Sequence, residues 1–137
     1  MISSRSIVSA AAIAALAGCA HQQPERRARV DPAVARQVLA SAAAQIRRCY
    51  RSPRASTSAR RIVTRIAIRL NADGTLAELP VIVSQSGVND ANGPEAPRMA
   101  EAASLAIIRC APLKLPPEHY GRVWRSFELT FSPALRV

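Results

Sequence analysis

The stretch RRIVTRIAIRL, residues 60–70, constrains the fold more than any other part of the chain. Ile62, Ile66, Ile68 and Leu70 fall on one parity, and Arg61, Arg65 and Arg69 on the other. Side chains alternate across a strand, so this pattern predicts a strand with one buried face and one charged, wet face. NADG at 71–74 predicts a hairpin turn, with Gly74 free to take the left-handed conformation. TLAELPVIVSQSG, residues 75–87, reads as the returning strand. Its Pro80 has no N–H to give to a ladder, which predicts a bulge or a sheet edge there.

The flanking segments have a helical period. In DPAVARQVLASAAAQIRRCY, residues 31–50, Val34, Val38, Ala42, Ile46 and Tyr50 recur every four residues, with Leu39 and Cys49 beside that stripe. Asp31 is placed to cap free N–H groups, and Pro32 suits the first helical position. A second helix is expected over PRMAEAASLAIIRC, residues 97–110, with Met99, Ala103, Ala106, Ile107 and Cys110 on one face. It must stop near Cys110, because Pro112 disfavours helix at Ala111. RVWRSFELTF, residues 122–131, reads as a last strand with Phe127, Leu129 and Phe131 inward and Ser126, Glu128 and Thr130 outward. The order α-β-β-α-β predicts an α+β domain over 31–137, a two-layer fold in which two helices cover one face of a three-stranded antiparallel sheet.

The N-terminal segment bears on compartment. Arg5 is the only charge before Ile7–Ala17, an apolar run of signal-peptide length that reaches about half of a ~30 Å hydrocarbon core. Leu16-Ala17-Gly18-Cys19 resembles the lipobox of bacterial lipoproteins, in which cleavage falls just before a diacylated cysteine. Residues 1–18 are therefore expected to be removed, Cys19 to carry the lipid, and residues 19–30 to form a basic tether. Ala20 follows the cysteine in place of Asp, and resemblance to enterobacterial lipoproteins then implies the periplasmic side of the outer membrane. Export makes Cys49 and Cys110 an even pair in an oxidising compartment, which points to a disulfide.

The formal net charge is +10, and it is unevenly spread. Between Arg26 and Arg69 there are twelve arginines and one acidic residue, Asp31. Such a half-chain attracts polyanions or acidic proteins. Nucleic acid is disfavoured, since only Tyr50 is interleaved with these arginines as a base-stacking aromatic. The face of Arg61, Arg65 and Arg69 is the candidate partner surface, with Trp124 as a further candidate contact. Catalysis has little support: His119 lies in a loop beside Glu118, and Ser84 and Ser86 lack the strand-turn-helix setting of a nucleophile elbow. No catalytic residue, metal ligand set or cofactor is expected.

Cys49 ending the first helix, LNADG at the hairpin, AIIRCAPLKLP through Cys110, and YGRVWRSFELTFSP near the end together resemble the TolA C-terminal domain, a relative of the TonB C-terminal domain. The likeness spans about residues 31–133. It implies the same α-β-β-α-β order, a helix-to-helix disulfide, and a periplasmic interaction module of the Tol–Pal type. Such modules bind envelope proteins by pairing an extended segment with a sheet edge. Full-length TolA has a transmembrane helix and a long spacer where this chain has a lipobox and a short tether, so coupling to an inner-membrane motor is not carried over. Two alternatives remain beside this reading. One is a structural lipoprotein whose arginine face adheres to anionic envelope polymer, and the other is a TonB-like accessory of energy transduction.

Overall fold

Asp31 caps helix α1, Pro32–Cys49, by accepting a hydrogen bond from the Ala33 N–H at 2.8 Å. The computed structural model describes residues 29–133. Val38, Ala42 and Ile46 form the buried stripe of α1, as their spacing predicts. Helix α2, Ala96–Cys110, buries Ala96, Met99, Ala103, Ala106 and Ile107. Alanines at the meeting of the two helices let their backbones approach closely, and Ala42, Ala103 and Ala106 are fully buried.

Three antiparallel strands form one sheet: β1 Val63–Arg69, β2 Val81–Ser86 and β3 Ser126–Phe131, in the order β2-β1-β3. The fold is therefore the expected α+β arrangement. The longest alternating segment is the central strand. Ile66, Ile68 and Leu70 point into the core, where they meet the α1 and α2 stripes together with Phe127 and Phe131.

Several boundaries differ from the sequence reading. Arg61 belongs to a 3-10 turn, Ala59–Arg61, so the strand begins two residues later, at Val63. The turn is held because Ala59 and Ile62 bury themselves in a small cluster with Ala96 and Met99. The return from the hairpin makes one bridge, Leu70 to Leu76, and regular pairing resumes only at Val81, after Pro80. The bulge lies past the proline: Arg65 pairs with Ser84 and Ile66 with Ile82, leaving Val83 as the extra residue. The last strand starts at Ser126, and residues 120–125 form turns and bends.

Gly74 has φ +84, and a Cβ there would lie 2.0 Å from the carbonyl oxygen of Leu113. That residue must be glycine twice over, for its backbone angle and for the contact. The Gly74 carbonyl in turn accepts the Leu113 N–H at 2.9 Å, which docks the segment after α2 onto the hairpin.

Candidate functional site

The open face of the sheet carries Arg65 and Arg69 from β1, as the alternation predicts. Both are already engaged. The Arg65 guanidinium lies 3.4 Å from Glu128 on β3, and that of Arg69 lies 3.6 Å from Glu78 in the hairpin. The Arg65 partner is diagonal, since Ala67 stands directly opposite Glu128. All four side chains are about half exposed, so each pair contributes only ~0–1 kcal/mol. Pairing offsets the charge of both arginines on this face all the same. Arg61 lies outside the strand, and no carboxylate is within salt-bridge distance of it among the described residues.

Trp124 is buried rather than exposed at the surface, where a partner contact is expected. It is 1 % exposed, donates its indole N–H to the Pro116 carbonyl at 2.7 Å, and meets the Tyr120 ring edge-on at 4.9 Å. Tyr120 is fixed in turn, with its hydroxyl on the Leu70 carbonyl at 3.2 Å and the Arg125 guanidinium over its ring. A large ring with one polar atom is stable inside when that atom finds an acceptor, and the Pro-rich connection supplies it.

Cys49 and Cys110 form a disulfide with Cα atoms 5.7 Å apart. It joins the C-terminal ends of both helices. Gln45 reinforces the joint: its amide N–H donates to the Lys114 carbonyl and its amide oxygen accepts the Lys114 N–H, both at 2.8 Å. Cys19 and the segment before it lie outside the described residues. Among the described residues, no helix is long and apolar enough to cross a membrane.

The sheet has two edges, and they differ. On β2 the exposed apolar residues Val81 and Val83 follow Pro80 and are interrupted by the bulge. Proline and bulges are the devices by which edges resist pairing with another strand. β3 has none of them. Its register with β1 is unbroken from Thr64↔Phe131 to Arg69↔Ser126, and no other described strand pairs with its outer side. Beside that outer side runs an apolar groove between α1 and β3, lined by Ala43, Ile46, Tyr50, Leu129 and Phe131, with the exposed Arg47 also against it. Its volume is about 360 Å³, including the space open to solvent. Tyr50 packs on Phe131 at 5.7 Å between ring centres, and burial raises its hydroxyl pKa above the ordinary value.

Sequence reasoning missed this groove. Leu129 and Tyr50 were legible as core-facing, but that they flank an opening follows only from where α1 ends over β3. His119 ends a short 3-10 turn, Pro117–His119, and Ser84 and Ser86 are exposed on β2. Comparison with known proteins adds no relative: no protein-family model, no curated protein and no solved structure matches the chain.

Proposed function

We propose that this chain is a non-catalytic, TolA-like protein-interaction module of the bacterial cell envelope, which takes up an extended segment of a partner protein along the outer edge of β3. The observation that carries the reading is the uninterrupted edge of β3 beside an apolar groove. An edge strand presents unpaired N–H and C=O groups at regular spacing, so backbone pairing supplies affinity. A neighbouring apolar groove then selects alternate side chains of the incoming strand. The envelope setting is supported by the lipobox-like LAGC, by the joined Cys49 and Cys110, and by the resemblance to the TolA C-terminal domain, whose partners belong to the Tol–Pal system. In this reading the lipid on Cys19 holds the module at the outer membrane, facing the periplasm.

The test begins with capture of partners from envelope extract and narrows binding to a synthetic segment of the captured protein. N-methylation of alternate residues in that segment removes every second donor without touching this chain. One of the two methylation frames should abolish binding and the other should leave it nearly intact, because only one set of donors faces β3. Ala43→Phe, which fills the groove, should weaken binding by roughly tenfold through lost side-chain burial. Equal tolerance of both methylation frames would sink the reading.

A further inference from the structure

Arginines 47, 48, 51, 54, 60 and 61 are all exposed, and none has a carboxylate within salt-bridge distance among the described residues. The charge that attracts an anion thus lies away from the open sheet face, whose Arg65 and Arg69 are paired. The course of the backbone arranges these six residues in a line. At one end Cys49 is bonded to Cys110, at the C-terminus of α2. At the other, the Ser56 N–H and hydroxyl donate to the Glu95 carboxylate, and the Arg98 guanidinium donates to the Arg54 carbonyl, both at the N-terminus of α2. Segment 49–56 therefore runs the length of α2, about 22 Å for its fifteen residues at ~1.5 Å each. Arg47 and Arg48 mark the start of the strip, Arg51 its middle, and Arg54, Arg60 and Arg61 its far end. Acidic groups do not cancel it: Glu95 is occupied by Ser56, and Glu101 on α2 forms no salt bridge.

We propose that this strip is a binding surface for a linear anionic polysaccharide. A run of unpaired like charges carries a repulsive cost that a polyanion laid along it removes, with release of the counterions of both. A line of charges suits a chain ligand better than a compact one. The residues between the arginines favour sugar over nucleobase. Ser52, Ser56 and Thr57 are exposed hydroxyls, whereas Tyr50, the aromatic in the row, is half-buried against Phe131 and offers no open ring face for stacking. Arg47 also borders the groove beside β3, whereas Arg51, Arg54, Arg60 and Arg61 do not line it, so a test on those four is independent of strand addition.

The full chain, kept in nonionic detergent, is titrated with fluorescent heparin at rising salt, with neutral dextran and a single-stranded oligothymidine as comparisons. Heparin should bind saturably with an affinity that falls steeply with salt, and dextran should not bind. Replacing Arg51, Arg54, Arg60 and Arg61 together by Gln should cost roughly tenfold or more in affinity and flatten the salt dependence. Arg65→Glu, on the paired face, should change affinity by less than about twofold. Circular dichroism checks that each variant is folded. Should the fourfold variant fail that check, Arg51→Gln with Arg54→Gln, both in the exposed loop, takes its place and should cost roughly threefold. Wild-type affinity in the folded variant overturns the proposal, as does a larger loss from Arg65→Glu. Dextran binding as well as heparin overturns it too, and oligothymidine binding more tightly than heparin makes the strip a nucleic-acid surface instead.

Discussion

Asn92 is fully buried and uses every hydrogen-bonding group of its side chain. Its amide N–H groups donate to the carbonyls of Ser58 at 3.1 Å and Gly87 at 2.9 Å, and its oxygen accepts the Asn89 N–H at 2.7 Å. One side chain thereby ties the turn before β1 to the end of β2 and to the loop leading into α2. Buried polar groups are inexpensive when paired and costly when orphaned. Asn92→Ala leaves two carbonyls and an N–H without partners in a closed site, and should lower unfolding free energy by about 2–4 kcal/mol. Asn92→Asp keeps the acceptor but replaces both donors by a buried carboxylate, and should be worse. Chemical denaturation of both variants, at matched slope, checks the order. In the sequence Asn92 is one turn residue among several in VNDANGPEAP, and nothing local distinguishes it from Asn89. Its importance comes from segments 34 positions apart meeting at one point.

At the level of elements, the joint of the two helices has two fastenings. The disulfide links positions 61 apart in the chain, and chain-entropy reasoning gives such a link roughly 4 kcal/mol, by restricting the unfolded state. Gln45, bonded on both sides of Lys114, holds the same corner in the native state only. Replacing Cys49 and Cys110 by Ala should therefore shift the denaturation midpoint sharply while leaving the native circular dichroism spectrum recognisable. Alkylation and intact mass should find no free thiol at these two positions in exported wild-type protein. Elements with a long, unbroken period were legible in the sequence: α1 from its four-residue stripe and β1 from its alternation. Where the period was short or interrupted, tertiary contact decided. Arg61 continues the parity of β1, yet burial of Ala59 and Ile62 against Met99 turns the chain there into a 3-10 turn. Trp124 sits between arginines in RVWRS and reads as the start of a strand, but its acceptor on Pro116 lies in a proline-rich connection that carries no periodic signal. Pro80, by contrast, predicts a bulge or a sheet edge, and β2 is an exposed edge strand with its bulge at Val83.

Across the whole molecule, charge is handled by segregation. Acidic residues are spent on pairing the open face, through Glu128 and Glu78, and on pinning loops, through Asp73 and Glu95. Glu95 accepts the Ser56 hydroxyl and N–H, and Asp73 accepts the Thr75 hydroxyl and N–H. These bonds favour the charged carboxylates and hold both below their ordinary values of 4.5 and 3.8, with the hydroxyl bond the larger cause in each. A carboxyl whose folded pKa is lowered stays charged in the native state at a pH where the unfolded chain has already taken up a proton. Its stabilising effect is complete above about pH 5, above both ordinary values, and is lost as pH falls through the folded values. Acid also unpairs Arg65 and Arg69 from Glu128 and Glu78, and the added net positive charge of the fold then deepens the loss. Thermal melts should accordingly be flat from pH 7 to pH 5 and fall steeply below pH 4. Glu95→Gln removes one of these titrations, so its melting temperature should be lower than that of wild type at pH 7 and converge on it as pH falls through the lowered Glu95 pKa. The anion-binding strip supplies the complementary check, because Ser56 and Glu95 fix one of its ends. Heparin added at pH 3.5 should raise the melting temperature of wild type by screening the arginine row, and should raise it less in the variant lacking Arg51, Arg54, Arg60 and Arg61. An acid transition that is unchanged in Glu95→Gln would mean that the loop is held by its apolar contacts alone, through Ala55 and Ala59 against Ala96 and Met99.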